Sequence, residues 1–195
     1  HQIPRVLDFM DALSAGMSRR AALRPIWSRW IFLWEAQRLA RYESVIFDYF
    51  DAKTIISAAD QKLIAHPSRK EISVVPNGVD SDYFVNQKPL KNRVDQRIIL
   101  FTGNMSYPPN IDAALVLVKE VLPLVTNENV KVVIAGTQPT SEILSLAGPN
   151  VEVTGWVPDL RVAYTRADVF VAPLRIGTGQ QNKILEAMSM GIPCI

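Results

Sequence analysis

The sequence has one cysteine, Cys194, and two histidines in 195 residues. A lone thiol excludes an internal disulfide framework and a cysteine-based zinc site, and a reducing compartment is then the simpler setting. An excess of one charge is also lacking: 21 Lys and Arg face 19 Asp and Glu, a formal net of +2. So small an excess excludes an electrostatic grip on nucleic acid or on an acidic membrane as the main business. Apolar runs such as Ala113–Val118 fall far short of the roughly 20 residues a spanning helix requires. The opening HQIPRVLDFMDA is interrupted by charges and does not read as a signal peptide. What is present is ordinary: 48% hydrophobic and 21% charged residues, enough for one globular domain or two small ones.

The ends suggest a piece of a longer chain. Val6, Leu7 and Phe9 read as a strand with nothing before it, and Gly191–Ile195 reads as a buried strand that has just begun.

Between Ala21 and Val45 the residues Leu23, Trp27, Trp30, Ile31, Trp34 and Leu39 recur at helical spacing, with Arg24, Arg29, Arg38 and Arg41 among them. Pro25 suits a first turn, so the helix is expected to start near it. A stripe of tryptophans is expected to face a core or a missing part of the domain; a membrane-surface or acceptor-binding face is the other reading. Thr54–Ser57 reads as a strand, Ala59–Ala65 as a polar helix, and Glu71–Val75 as another strand. Pro76-Asn-Gly-Val-Asp80 then marks a turn or linker. A domain boundary is expected between Pro76 and Gln96.

Beyond it the pattern becomes regular. Strands are expected at Arg97–Thr102, Lys131–Ala135, Val151–Thr154 and Asp168–Ala172. Helices alternate with them, from Asn110 as cap to about Val125, over Ser141–Ala147, after Asp159 as cap to Arg166, and over Asn182–Met190. Continuous apolar strands alternating with helices predict a parallel α/β sheet.

Ligands of such sheets bind beyond the carboxyl ends of the strands. Those ends here are Gly103-Asn104, Gly136-Thr137, Gly155-Trp156-Val157-Pro158 and Pro173–Gly179. Glycine lets backbone approach a ligand, or merely closes a turn. Gly177-Thr178-Gly179 precedes a helix, whose unpaired amides suit a pyrophosphate. Lys183, one turn in, adds a cation, with Arg175 a second; a solvated helix position is the plainer reading of Lys183. The segment is neither the dinucleotide fingerprint nor a P-loop. Glu186 stands among Leu185, Ala187 and Met188, where a carboxylate needs a partner. Ribose hydroxyls would serve, as would Lys183 at i to i−3.

Four segments resemble one family. Ala167-Asp-Val-Phe-Val-Ala-Pro-Leu-Arg-Ile-Gly-Thr-Gly-Gln-Gln-Asn-Lys-Ile-Leu-Glu-Ala-Met-Ser-Met-Gly-Ile-Pro193 is similar to the donor-binding signature of family 4 (group 1) glycosyltransferases. Val75–Asp80 with Phe84, Gly103–Asn110 and Gly155–Asp159 follow the same family in order. Asp8–Asp11 and Glu35–Glu43 resemble the last third of its acceptor domain, in particular in the subgroup tied to bacterial exopolysaccharide synthesis.

The resemblance implies an α/β fold of GT-B type, a Rossmann-like parallel sheet flanked by helices, truncated here. It divides the chain into 1–86, the end of the acceptor domain plus linker, and 87–195, an incomplete donor domain. It implies a retaining transferase of cytoplasmic location, or at the inner face of the membrane, needing neither metal nor cofactor. The donor is a nucleotide-diphospho-sugar and the acceptor a glycan or a lipid-linked acceptor, with no nucleic acid; peripheral membrane association and a homodimer stay open. Carried over by position, Glu186 is the second Glu of the Glu-x7-Glu motif and holds the ribose. Gly177, Thr178 and Gly179 surround the diphosphate and sugar, and Trp156, Val157 and Pro158 fall where the base is held. The donor set is completed by Gly103, Asn104, Arg175, Gln181 and Lys183, with Lys183 and Thr178 as the catalytic pair.

Two positions depart from the pattern. The first Glu of the motif is Thr178, and the Arg and Lys usual after the first strand's glycine are absent from Asn104-Met-Ser-Tyr-Pro-Pro109. Charge neutralisation then falls on Lys183 and Arg175. A non-catalytic nucleotide-sugar-binding or assembly module is the alternative; a nucleotide-sugar epimerase fits less well, lacking its carboxylates and histidines. Neither His1 nor His66 has a catalytic context, and the fragment alone is expected to be inactive.

Overall fold

The computed structural model describes residues 3–85, 96–126, 129–176 and 179–195. Contacts divide the chain into two compact units, His1–Asn77 with Ile176–Gln180, and Gly78–Arg175 with Gln181–Ile195.

The first unit is built on a short parallel sheet in the order β1-β2-β3, formed by β1 (Val6–Asp8), β2 (Ala52–Ile55) and β3 (Ser73–Val74). The helix expected to start near Pro25 is α2 (Ile26–Phe47), with Pro25 just before its first residue, and a further helix, α1 (Leu13–Ala22), precedes it. Proline disfavours helical backbone at the residue before it, so the break falls at Arg24. Helix α1 carries a sparse apolar face, Leu13 and Met17 being its only large apolar residues.

Burial on α2 runs against a stripe that faces the core of this unit, the first of the two expectations. Ser28, Ala36, Glu43 and Phe47 are buried, while Trp27, Trp30 and Trp34 are 76%, 64% and 53% exposed. Small residues let α1 and α2 approach closely, and Glu43 reaches back to the start of α1. Its carboxylate accepts from Ser14 N–H at 3.0 Å and Ser14 Oγ at 2.6 Å. That carboxylate does the capping work for which Ala12, the residue before the helix, has no side chain. A compact core of Ala12, Phe47, Ile55, Ile64 and Ile72 lies beneath. His66 stacks on Phe47 with ring centroids 3.8 Å apart, a packing role. The polar helix expected at Ala59–Ala65 contracts to α3 (Ala58–Gln61), capped by Ser57. Before β3, Arg69–Glu71 turns as a 3-10 segment.

The second unit carries the regular alternation. Strands β4 (Arg97–Thr102), β5 (Val130–Ala135), β6 (Val151–Gly155) and β7 (Val169–Phe170) form a parallel sheet in the order β6-β5-β4-β7. Cys194 bridges Phe170 in parallel, so the last residues extend that edge. Helices α4 (Pro108–Val116), α5 (Ser141–Leu144), α6 (Leu160–Arg166) and α7 (Asn182–Ser189) connect the strands. Ile99, Leu100, Phe101, Val132, Val133 and Ile134 are buried, as continuous apolar runs between two covered faces must be. Helix α4 starts at Pro108 rather than at Asn110, with two prolines in its first turn, where no N–H is missed. It passes through a π-helical turn, Leu117–Val121, into a 3-10 turn, Leu122–Leu124. Asp159 caps α6 as expected, accepting from Arg161 N–H at 2.9 Å. Among the described residues, no helix is long and apolar enough to cross a membrane.

Candidate functional site

At the carboxyl ends of β4 and β5 the chain is crowded. A Cβ added to Gly136 would fall 1.8 Å from the carbonyl oxygen of Gly103, so no other residue fits there. Beside this pair lies a cavity of about 190 Å³ lined by Gly103, Gly136, Thr137, Trp156, Val157 and Leu160. Trp156 is 68% exposed, a flat apolar surface at the rim. Pro158 follows, ahead of the cap at Asp159.

Lys183 is not the solvated residue that its helix position allowed. Its Nζ donates to Asn110 Oδ1 at 2.5 Å and lies 4.9 Å from the centre of the Phe101 ring. Burial pushes its ammonium down to about 8, against the pull of the Glu186 charge. Asn110, expected as a helix cap, is instead inside α4 and 6% exposed. Its Nδ2 donates to the carbonyl of Asn104 at 2.9 Å.

Glu186, one turn on from Lys183, takes Tyr164 as its partner. The Tyr164 hydroxyl donates to Glu186 Oε2 at 2.8 Å, with the Lys183 carbonyl at 3.2 Å and Thr102 Oγ1 at 3.1 Å. Tyr164 is fully buried, and desolvation drives its hydroxyl far above the ordinary phenol value, so it stays a donor. The end of β4 is thereby joined to α7 through α6.

Asn104 orders its own loop, its Oδ1 accepting from Ser106 N–H at 2.9 Å. Arg175 turns to α4 and beyond: its guanidinium grips Asp112 at 2.6 and 3.0 Å and Glu120 at 3.3 Å. The Asp112 carboxylate holds it charged more firmly than a free guanidinium. Gln181 stands just before α7. Gly177 and Thr178 lie outside the described residues. Gly179 belongs to the first unit, where its φ of +71° favours glycine. Among the described residues no group of three or more His, Cys, Asp or Glu could hold a metal ion.

The second unit thus brings Gly103, Lys183 and Glu186 into one polar cluster and sets Trp156 and Val157 beside the neighbouring cavity. Sequence reasoning missed Asn110 and Tyr164. The available signals were a polar amide directly after two prolines and a hydroxyl on the apolar side of a short helix.

No curated protein matches the chain. Solved structures do. HepE of Anabaena, in complex with UDP and glucose, has a TM-score of 0.68 at 17% identity, covering 98% of this chain and 52% of that one. A glycosyltransferase of Rickettsia africae has a TM-score of 0.62 at 17% identity, covering 80% and 47%. The lipopolysaccharide outer core galactosyltransferase WaaB, in its apo form, has a TM-score of 0.56 at 16% identity, covering 98% and 56%. The chain spans about half the length of these structures, and the likeness establishes a fold of GT-B type. The family model described as Glycosyl transferases group 1 matches residues 96–195, just over half of the sequence and the whole strand-helix region that carries the cluster around Lys183. The chain therefore belongs to the family Glycosyl transferases group 1.

Proposed function

We propose that the chain is part of a retaining glycosyltransferase of family 4 that moves a sugar from a nucleotide-diphospho-sugar to a glycan or lipid-linked acceptor. The setting is bacterial exopolysaccharide or cell-surface synthesis on the cytoplasmic side of the membrane, without a metal. The observation that carries this reading is the pairing, one helical turn apart on α7, of a half-sequestered ammonium and a carboxylate. Lys183 stands at the end of β4, and Glu186 is held by a buried tyrosine.

The chemistry follows from the charges. The bond between the anomeric carbon and the diphosphate oxygen breaks, an acceptor oxygen bonds to that carbon on the same face, and the acceptor's proton passes to the departing diphosphate oxygen. Negative charge grows on the diphosphate, and a fixed cation with main-chain amides takes it up. Lys183 is that cation, and the amides of Gly177–Gly179 keep the role the sequence gives them. Glu186 accepts from the ribose hydroxyls while Tyr164 holds it in place. Trp156 offers a face to the base, with Val157 and Pro158 beside it. Thr178 stands where the family has its first motif Glu and contributes a hydroxyl without charge. Arg175 contributes only by releasing Asp112 and Glu120.

Titration calorimetry with uridine, guanosine and adenosine diphospho-sugars, followed by a transfer assay on the complete enzyme, tests this. Lys183→Ala abolishes transfer and Glu186→Ala weakens nucleotide binding; wild-type turnover by Lys183→Ala would remove the proposed mechanism. Thr178, and a first-strand loop without Arg or Lys, favour a second reading, a nucleotide-sugar-binding module without catalysis. Binding without turnover is its signature.

A further inference from the structure

We infer that Asn110 is a positioning residue that fixes the Lys183 ammonium at the end of β4 by tying it to the main chain of the Gly103–Asn104 loop. This rests on the donor-site reading of Lys183.

Asn110 faces two opposite demands at once. Its Oδ1 accepts from Lys183 Nζ at 2.5 Å, and its Nδ2 donates to the Asn104 carbonyl at 2.9 Å. A side-chain amide can do both; a carboxylate would set its second oxygen against that carbonyl, and a shorter hydroxyl would not span the two. At 6% exposure water does not readily take the place of either partner, so the amide is held in one orientation.

The glycine before this loop makes room for the pair. A Cβ on Gly103 would come 2.6 Å from Asn110 Nδ2 and 3.2 Å from Lys183 Nζ. The site therefore excludes a side chain at the very point where the amide and the ammonium meet.

The effect is on a residue that otherwise wanders. A lysine has a four-carbon stem and three N–H donors, and immobilising it costs side-chain entropy. Asn110 uses one donor and leaves the others for an anion. Because the amide is neutral, it orients the ammonium without cancelling its charge. The charged and titratable groups facing Lys183 are Glu186 on its own helix and Tyr164 from α6, whose hydroxyl meets the Lys183 carbonyl. From β4 and α4 it meets Phe101 and Asn110, which carry no charge.

The experiment uses the full chain labelled with 13C-lysine, wild type against Asn110→Asp and Asn110→Ala, with Lys183→Arg identifying the resonance. The ε-carbon titration of Lys183 is followed by NMR, and UDP binding is measured by calorimetry from about pH 6 to about pH 10, a range that brackets the ammonium. In the wild type, Lys183 titrates near 8 and UDP affinity falls as pH rises through that value. Asn110→Ala lowers the midpoint and weakens UDP about tenfold at neutral pH, the scale of one charge-assisted hydrogen bond. Asn110→Asp raises the midpoint and also weakens UDP, since its charge competes with the phosphate.

An unchanged Lys183 midpoint in both variants overturns the inference, as does a shifted midpoint with undiminished UDP affinity. Should Asn110→Ala fail to fold by circular dichroism, the near-isosteric Asp variant decides the matter. Shifted midpoints without any UDP binding by the wild type sink the donor reading and leave the Asn110–Lys183 link standing.

Discussion

Both units have an apolar core, but the α1–α2 contact of the first is built differently from the sheet of the second. In the second, strands of Ile, Leu, Val and Phe fill the centre, and Leu100, Phe101, Val132 and Ile134 are wholly or almost wholly out of water. In the first, the long helix α2 turns Ser28, Ala36, Glu43 and Phe47 inward and its tryptophans outward, and a carboxylate joins the two helices. The difference teaches that an apolar stripe reports the buried side of a helix only when its partner is wide enough to cover it. Where two helices approach through small residues, the bulky ones are left outside.

The sharpest test of the strand-built core is Phe101→Ala. The ring is fully buried in β4, and its loss costs about 4 kcal/mol from transfer and cavity terms together. Urea unfolding should show the loss in the second unit's transition. Because Lys183 lies over the same ring, under the donor-site proposal this variant is expected to weaken nucleotide binding as well where the protein remains folded.

Glu43→Ala probes the other strategy and is expected to cost about 2 kcal/mol. Removing the carboxylate leaves the N–H and hydroxyl of Ser14 buried without an acceptor. Glu43→Gln keeps one acceptor and should lose roughly half as much. Thermal unfolding of the first unit reads both, and equal losses for Ala and Gln would show that volume rather than hydrogen bonding matters there.

Legibility followed the same division. β4 matched its expected span to the residue, since the apolar run Ile98–Phe101, set between Arg97 and Thr102-Gly103, has no competing period. The cap at Asp159 and the body of α7 were legible for local reasons, a carboxylate before a helix and a 3.6-residue pattern. Helix α1 was hidden, because Leu13 and Met17 are its only large apolar residues, set among Ser, Ala, Gly and Arg. The candidate site was half legible. Lys183 and Glu186 stood out by residue type beside a glycine-rich loop. Their partners Asn110 and Tyr164 come from helices 73 and 22 residues earlier, and no local pattern announces such a pairing.

A third prediction concerns pH, and again the second unit alone. Arg166, and after it Lys131, hold the Glu152 carboxylate down to about 2 from 4.5. A depressed carboxylate contributes stability that is fully present above the unfolded value and is lost as pH falls from 4.5 towards 2. The group is partly open to solvent, so screening reduces the contribution to about 1 kcal/mol. Glu152→Gln should therefore lose about 1 kcal/mol at neutral pH and nothing at the acid end, measured by urea midpoints across that range.

The smallest expected effect is the most direct challenge to the contrast. If the α2 tryptophans are solvent-facing in the folded chain, Trp27→Ser and Trp30→Ser change stability by no more than about 0.5 kcal/mol, as surface positions do. Their fluorescence should be red-shifted and readily quenched by acrylamide, and the variants should remove that exposed fraction of the signal. A loss of several kcal/mol, or quenching only after dilution, would mean that the face is covered in solution by another copy of the chain. Sedimentation equilibrium of the wild type and of Trp27→Ser separates those cases, because only a covered face couples the substitution to the mass observed. A mass unchanged by Trp27→Ser, together with unchanged stability, leaves the small residues and Glu43 as what holds the two helices together.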